Sequence, residues 1–357
     1  MAPRETLACF AIFSVVVLLN PITRKQSNAA FKMAVLVCSL LVFCQDFPSW
    51  ATRFCFSFKT ARPLYSLLIH QDTTGKHSFS HSAMSDPHFL VITKGHPFEK
   101  GPFFEMLDGL DGQYTHVEQP LAASILDPEL MRPYDCLVFY DMPGINFESG
   151  GPIYPEPSPD FKTQFLALLE EGKGMVFLHH AIAGWPSWPE YRRIIGGQFL
   201  YTAREIDAIN VQDSGYRHNV RHEISVVDPT HPVTDGLPPY FEMTDELYLY
   251  EVDEPNITPL LTSNYTFQQE HFFSAAAVVE RGLMHCNDGW THPSGSSLVG
   301  WTKQYDNSRI CYLQGGDDAK AWQNEHYQQL LNNAIAWASN AAGASSPEDR
   351  SRKHAAP

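Results

Sequence analysis

The sequence predicts an α/β fold: an open parallel sheet with helices on both faces, extended by antiparallel strands in the C-terminal half. Three observations carry that expectation. Short apolar runs of strand length alternate with helical patterns from His88 to Leu178. From Gly197 onward, strand-like runs recur between turn-rich segments with few helices. The chain then closes on one amphipathic segment, Asn324 to Ala338, with Tyr327, Leu330, Leu331, Ile335 and Trp337 largely along one side.

Each element has its own warrant. His88 to Thr93 (HFLVIT) is an apolar run of buried-strand length, broken by Gly95 and Pro97. Pro102 to Leu110 reads as a helix, Tyr114 to Glu118 as a second strand and Asp127 to Arg132 as a short helix. Asp135 to Tyr140 (DCLVFY) is the third strand, followed by a Pro/Gly-rich loop from Met142 to Pro157. The next helix is the best punctuated. Ser158 can cap it, Pro159 suits its first position and Asp160 complements its dipole. Phe161, Phe165, Leu168 and Leu169 share one face, Gly172 and Gly174 stop the helix, and Met175 to Leu178 is the fourth strand. The resulting β-α-β-α-β-α-β order requires parallel strands. Ile224 to Val227, Glu246 to Tyr250, Thr258 to Leu261, Leu298 to Trp301 and Ile310 to Leu313 are the later strands.

Composition bounds the function. With 13% aromatic and 44% hydrophobic residues, the chain has enough apolar surface for a packed core, which excludes a mainly disordered protein. Charge is split unevenly. Residues 1–83 carry 8 Lys+Arg against 3 Asp+Glu, and residues 84–357 carry 17 against 37. A body this acidic repels phosphate backbones, so no nucleic acid is expected and a small neutral or cationic partner fits better.

Residues 1–83 read as a separate extension. The apolar runs Leu7 to Leu19 and Met33 to Cys44 have signal-peptide length and are short for a membrane span. Three readings stay open: a cleaved signal or membrane anchor, an extension outside the mature protein with Met84 as the start, or a small folded domain. The preferred start at Met84 implies a cytoplasmic protein. The first reading implies a secreted or anchored one, with membrane contact only if residues 1–83 are retained. The domain is expected to span 84–340, with 341–357 a disordered tail. A homo-oligomer is compatible with all of this. Cys136, Cys286 and Cys311 are too widely spaced for a disulfide framework.

Four segments carry groups suited to chemistry. In Met175 to Trp185 (MVFLHHAIAGW), a strand delivers His179 and His180 to its carboxyl end, where ligands gather in open parallel sheets. Imidazole there can act as acid, base or metal ligand. In His222 to Leu237, His222 opens a strand, while His231 sits in turn chemistry that explains it structurally. In Thr244 to Glu251, Asp245 and Glu246 point to opposite faces, so one is expected at a site and the other solvated or capping a loop. In Tyr312 to Trp322, Gly315 and Gly316 would let the backbone approach a ligand beside Asp317. Trp185 and Tyr191 could stack on a sugar ring, or pack in the core. The catalytic expectation is thus His179, His180, Asp245 and Glu246, with His222, Asp317, Trp185 and Tyr191 binding substrate. No HExxH or paired CxxC occurs, so a divalent metal is an option without a motif behind it. GxSxG, P-loop and GxGxxG patterns are absent too.

Taken together, GKGMVFLHHAIAGW, YRRIIGGQF, DPTHPVTDGL, DELY, WTKQYDNSRICYLQGGDD and LLNNAIAWA, in that order over about 86–340, resemble the ThuA-like (trehalose-utilisation) family. The resemblance implies a flavodoxin-like, class I glutamine amidotransferase-like domain with a small-molecule pocket at the sheet's carboxyl edge. It also implies a role in carbohydrate metabolism: an enzyme acting on a sugar or polyol by His/carboxylate acid–base chemistry, or a non-catalytic sugar-binding domain. Two departures stand out. Where amidotransferases carry a nucleophilic cysteine after the fourth strand, this chain has His179-His180-Ala181, which argues against thiolate chemistry. Where ThuA relatives often show Gly-His-Asp, it has Gly316-Asp317-Asp318.

Overall fold

A computed structural model describes residues 86–148, 151–206 and 208–339. The expectations for residues 1–83 and for the tail lie outside the described residues. The described residues form one compact unit.

Apolar strands buried on both sides assemble its centre. β1 (His88–Lys94), β2 (Gln113–Glu118), β3 (Cys136–Asp141) and β4 (Gly174–Leu178) pair in parallel. The long strands β5 (Gly215–Val226) and β6 (Tyr240–Leu249) follow, then β7 (Thr258–Ser263), the short β8 (Phe273–Ser274), β9 (Leu298–Tyr305) and β10 (Ser308–Leu313). All ten form one sheet in the order β6-β5-β7-β9-β10-β4-β3-β1-β2, with β8 beside β5. β10 is parallel to β4, so the parallel part runs β2-β1-β3-β4-β10, the flavodoxin-like order. Beyond β10 every pairing is antiparallel.

Alternating side chains feed two cores. Phe89, Val91, Val138, Val176 and Leu313 face α1 (Lys100–Gly109) and the C-terminal helix. Leu90, Ile92, Phe139, Phe177 and Ile310 face α2 (Pro159–Glu170) and α3 (Pro189–Ile195). The α2 start is as read: Ser158 Oγ accepts from the Phe161 amide at 3.1 Å, with Pro159 inside the first turn. The C-terminal helix, α4 (Glu325–Ser339), presses so close that a Cβ on Gly174 would lie 2.1 Å from the Ala338 carbonyl oxygen.

Boundaries shifted most in the antiparallel half. The strand expected at Ile224 to Val227 begins at Gly215, and the one expected at Glu246 to Tyr250 begins at Tyr240. The added residues (GYRHNVRHE and YFEMTD) mix polar and apolar side chains, so apolar alternation reveals them poorly. Burial pushes the thiols of Cys136 and Cys311 well up, which suits inert core residues. No helix among the described residues is long and apolar enough to cross a membrane.

This packing sets two expectations for stability. Phe165, fully buried beneath α2, should cost about 3–5 kcal/mol when replaced by Ala, read by urea denaturation. Asp141, at the end of β3, accepts from the Gln119 amide at 2.8 Å through one oxygen, and its other oxygen is buried without a partner. Burial raises its carboxyl to about 7. The folded state therefore keeps a proton that the unfolded state releases, so stability falls as pH rises from about 4 to about 7. Asp141→Asn should raise the melting temperature more at pH 8 than at pH 5; an equal gain at both would contradict the assignment.

Candidate functional site

The carboxyl edge of β4 is where four chain segments meet. The chain leaves Leu178 into a 3₁₀ turn, His179–Ala183, with His179 at φ +46°. That left-handed backbone aims a fully buried imidazole across the sheet edge. Its Nδ1 donates to the Gln314 carbonyl at 2.7 Å, just past the end of β10. Because a carbonyl only accepts, this bond puts a hydrogen on Nδ1 and turns Nε2 towards the site. Nε2 lies 3.1 Å from Glu246 Oε2, 3.4 Å from Asp317 Oδ1 and 2.7 Å from the Tyr248 hydroxyl. Burial would depress the imidazole's pKa, but the Asp317 and Glu246 carboxylates outweigh it and hold the group well above its ordinary value.

Glu246 joins that imidazole to a second one. Its other oxygen, Oε1, lies 3.0 Å from His218 Nδ1 on β5, which is also 3.9 Å from Asp317 Oδ2. The hydrogen bond to Glu246 raises the His218 pKa against the opposing effect of burial. Burial would raise both carboxyls, yet the two imidazoles hold Glu246 below the usual range and Asp317 at about 2. His218 is 37% exposed and His179 not at all, so the cluster runs from the interior to the surface.

The adjacent pair Asp245 and Glu246 splits between faces as strand geometry requires. Asp245 is neither solvated nor at the site. It is buried and accepts from the backbone N–H groups of Gly316 at 2.6 Å and Asp317 at 3.1 Å. Burial raises its carboxyl to about 7. Its role is to pin the turn that carries Asp317. The glycines there serve packing and not ligand approach: Gly316 has φ +117°, and a Cβ on it would stand 2.4 Å from the Tyr327 hydroxyl oxygen. The Gly316 carbonyl accepts from Tyr140 and Trp322 at 3.0 and 2.9 Å.

His180 and His222 are buried neutral residues. His180 Nε2 donates to the Tyr140 carbonyl at 3.3 Å, and its ring lies between Tyr140 and His96. Burial, then His96 and His179, push its pKa well down. His222 faces the opposite core, beside Ser263 Oγ at 2.8 Å, with its pKa lowered by burial to about 4. A register shift between Arg217 and Val220, with Asn219 at φ +55°, is the cause. It reverses the alternation, so His218 and His222 emerge on different faces of one strand. Trp185 packs on Phe161 with ring centroids 5.1 Å apart, and Tyr191 is a core residue whose hydroxyl donates to the Ala181 carbonyl at 3.2 Å. Neither lines the cavity at the site.

That cavity, about 150 Å³, is lined by His96, His218, Glu246 and the tyrosines Tyr201, Tyr216 and Tyr248, with Ala275, Val278 and Met284 on its apolar side. His96, His218, Tyr201 and Tyr216 stand in no apolar strand or recognisable motif of the sequence, while Tyr248 lies in the DELY segment without a role being evident there. His96 lies against His180, with ring centroids 4.8 Å apart. His179, Glu246 and Asp317 offer ligand atoms within 4.8 Å of one another, so they are the described residues that could hold a metal.

With this geometry in view, comparison decides the family. The family model for ThuA, trehalose utilisation, matches residues 89–338. The chain belongs to the ThuA family. Among curated proteins, none matches it. Solved structures place the fold beside a ThuA-like protein of Bacteroides uniformis, at 18% identity and a TM-score of 0.50, covering 74% of this chain and 95% of that one. A ThuA-like protein of Parabacteroides merdae gives 20% identity and a TM-score of 0.48, covering 74% and 94%. A Thermoplasma acidophilum protein described as a GMP synthase component gives 11% and 0.36, covering 75% and 98%. This ThuA member has an α/β fold, with His179 and His180 in the turn after its fourth parallel strand.

Asp245→Ala would leave the buried Gly316 and Asp317 N–H groups without their acceptor. A stability loss of about 2 kcal/mol is expected, measured by denaturant titration.

Proposed function

We propose that this ThuA-family protein is an enzyme acting on a sugar or polyol by acid–base chemistry at Glu246 and His218. The supporting observation is Glu246 itself, buried at a cavity wall between a fully buried imidazole and a half-exposed one. His218 is the proton-transfer group, because it alone of the pair reaches the opening. Glu246 orients it and contacts a ligand hydroxyl. His179 is a positioning residue that keeps Glu246 ionised and fixed, as the third member of a triad does, and Asp317 in turn favours the charge on His179. The tyrosine hydroxyls and carboxylates suit a ligand rich in hydroxyl groups, and the apolar side suits its C–H faces. The description of the family as trehalose utilisation agrees with a carbohydrate ligand. Cys136 and Cys311 are set aside as nucleophiles, since both are buried with raised pKa values.

A second reading is binding without turnover. Its support is that the charged groups of the cluster are already paired with one another, as in a binding site with no free acid or base.

The test is turnover of a panel of sugars and polyols by the full chain, followed by mass spectrometry. His218→Ala and Glu246→Gln should each lower turnover roughly 10²–10⁴-fold, while His222→Ala leaves it near wild type. Equal activity in all three variants would remove the assignment. Calorimetric binding without any product would favour the second reading.

A further inference from the structure

One imidazole nitrogen stands here before three acceptors. An N–H on His179 Nε2 can donate well to only one of Glu246, Asp317 and Tyr248 at 3.1, 3.4 and 2.7 Å. Two carboxylates facing a single imidazolium also leave an excess negative charge in a largely buried place, and the nearest other cation, His218, lies on the outer side. We infer that His179 Nε2, Glu246 and Asp317 form a divalent-cation site whose open coordination positions face the cavity.

The geometry supports it in three ways. Atoms bound about 2.1 Å from a common ion lie about 3.0–3.5 Å apart in tetrahedral or octahedral arrangements. The 3.1 and 3.4 Å separations from Nε2 fall in that range, and all three ligand atoms lie within 4.8 Å of one another. The Nδ1–H to Gln314 carbonyl bond at 2.7 Å is the outer contact by which a metal-bound histidine is held, with the other nitrogen turned inward. Asp245, through the backbone of Gly316 and Asp317, fixes the third ligand in place.

Three protein ligands from three chain segments leave room for an exogenous oxygen, the pattern of a catalytic and not a purely structural centre. A mixed imidazole and carboxylate set suits a first-row transition ion better than Ca²⁺ or Mg²⁺. His218 remains outside, on the other oxygen of Glu246, free for proton transfer. The bound ion would polarise a hydroxyl or carbonyl oxygen of the ligand. That role in chemistry rests on the function proposed above; the binding of the ion does not.

The experiment uses the full chain, stripped with a chelator, dialysed, and titrated separately with Mn²⁺ and Zn²⁺ by calorimetry, with Mn²⁺ also followed by electron paramagnetic resonance. One ion per chain is expected. Glu246→Gln and Asp317→Asn should each weaken it by roughly 100-fold, and His222→Ala should not, with circular dichroism and melting curves confirming that each variant is folded. Absence of a saturable site in the folded wild type, or an affinity unchanged in both carboxamide variants, would overturn the inference. Sugar turnover that persists in the ion-free protein would overturn the ion's part in the chemistry and leave the acid–base reading standing. Ion binding with no turnover by the loaded chain would support the site and remove that reading.

Discussion

Burying a carboxylate is costly unless an opposite charge and hydrogen bonds accompany it. Glu246 meets that condition from two sides, with His179 at 3.1 Å and His218 at 3.0 Å. Every other feature of the site serves this arrangement. The Gln314 carbonyl sets the orientation of the first imidazole, the irregularity in β5 sets the side on which the second emerges, and Asp245 holds the turn that supplies Asp317. Removing any one would leave a buried charge or amide without its partner.

The architecture explains how such distant residues meet. Five parallel strands in the order β2-β1-β3-β4-β10 bring His96, His179 and Asp317 to one edge, because parallel strands share their carboxyl ends. The antiparallel strands continue the same sheet past β10, and β6 and β5 bring Glu246 and His218 across the rim. The site therefore belongs to both halves of the sheet. At this edge the turn after β4 presents two imidazoles.

Two neighbouring carboxylates, one buried and one half-buried, illustrate how environment separates like groups. Asp245 and Asp317 are linked through the backbone of one turn, yet burial lifts the first to about 7 while burial is overcome at the second by His179 and His218, which hold it at about 2. Asp245 thus works through its acceptor oxygens on backbone amides, whereas Asp317 contributes charge. Divergent ionisation of this kind marks functional sites more often than ordinary surfaces.

Much of this protein was legible from residue order. The apolar strands, the Ser158-Pro159-Asp160 helix start, the parallel order and the placing of His179 at a strand end all follow from patterns of a few adjacent residues. So did the division of Asp245 from Glu246, since neighbours on a strand point apart. His218, His96 and the tyrosine wall did not, because they become neighbours only when long-range pairing closes the antiparallel half onto the parallel one. The choice between His218 and His222 turned on a register shift around Asn219, and the burial of Tyr191 on packing beneath α2 and α3. Local sequence sets what each segment prefers; which side chains share a hollow depends on contacts between residues far apart in the chain, and those are made only in the folded sheet.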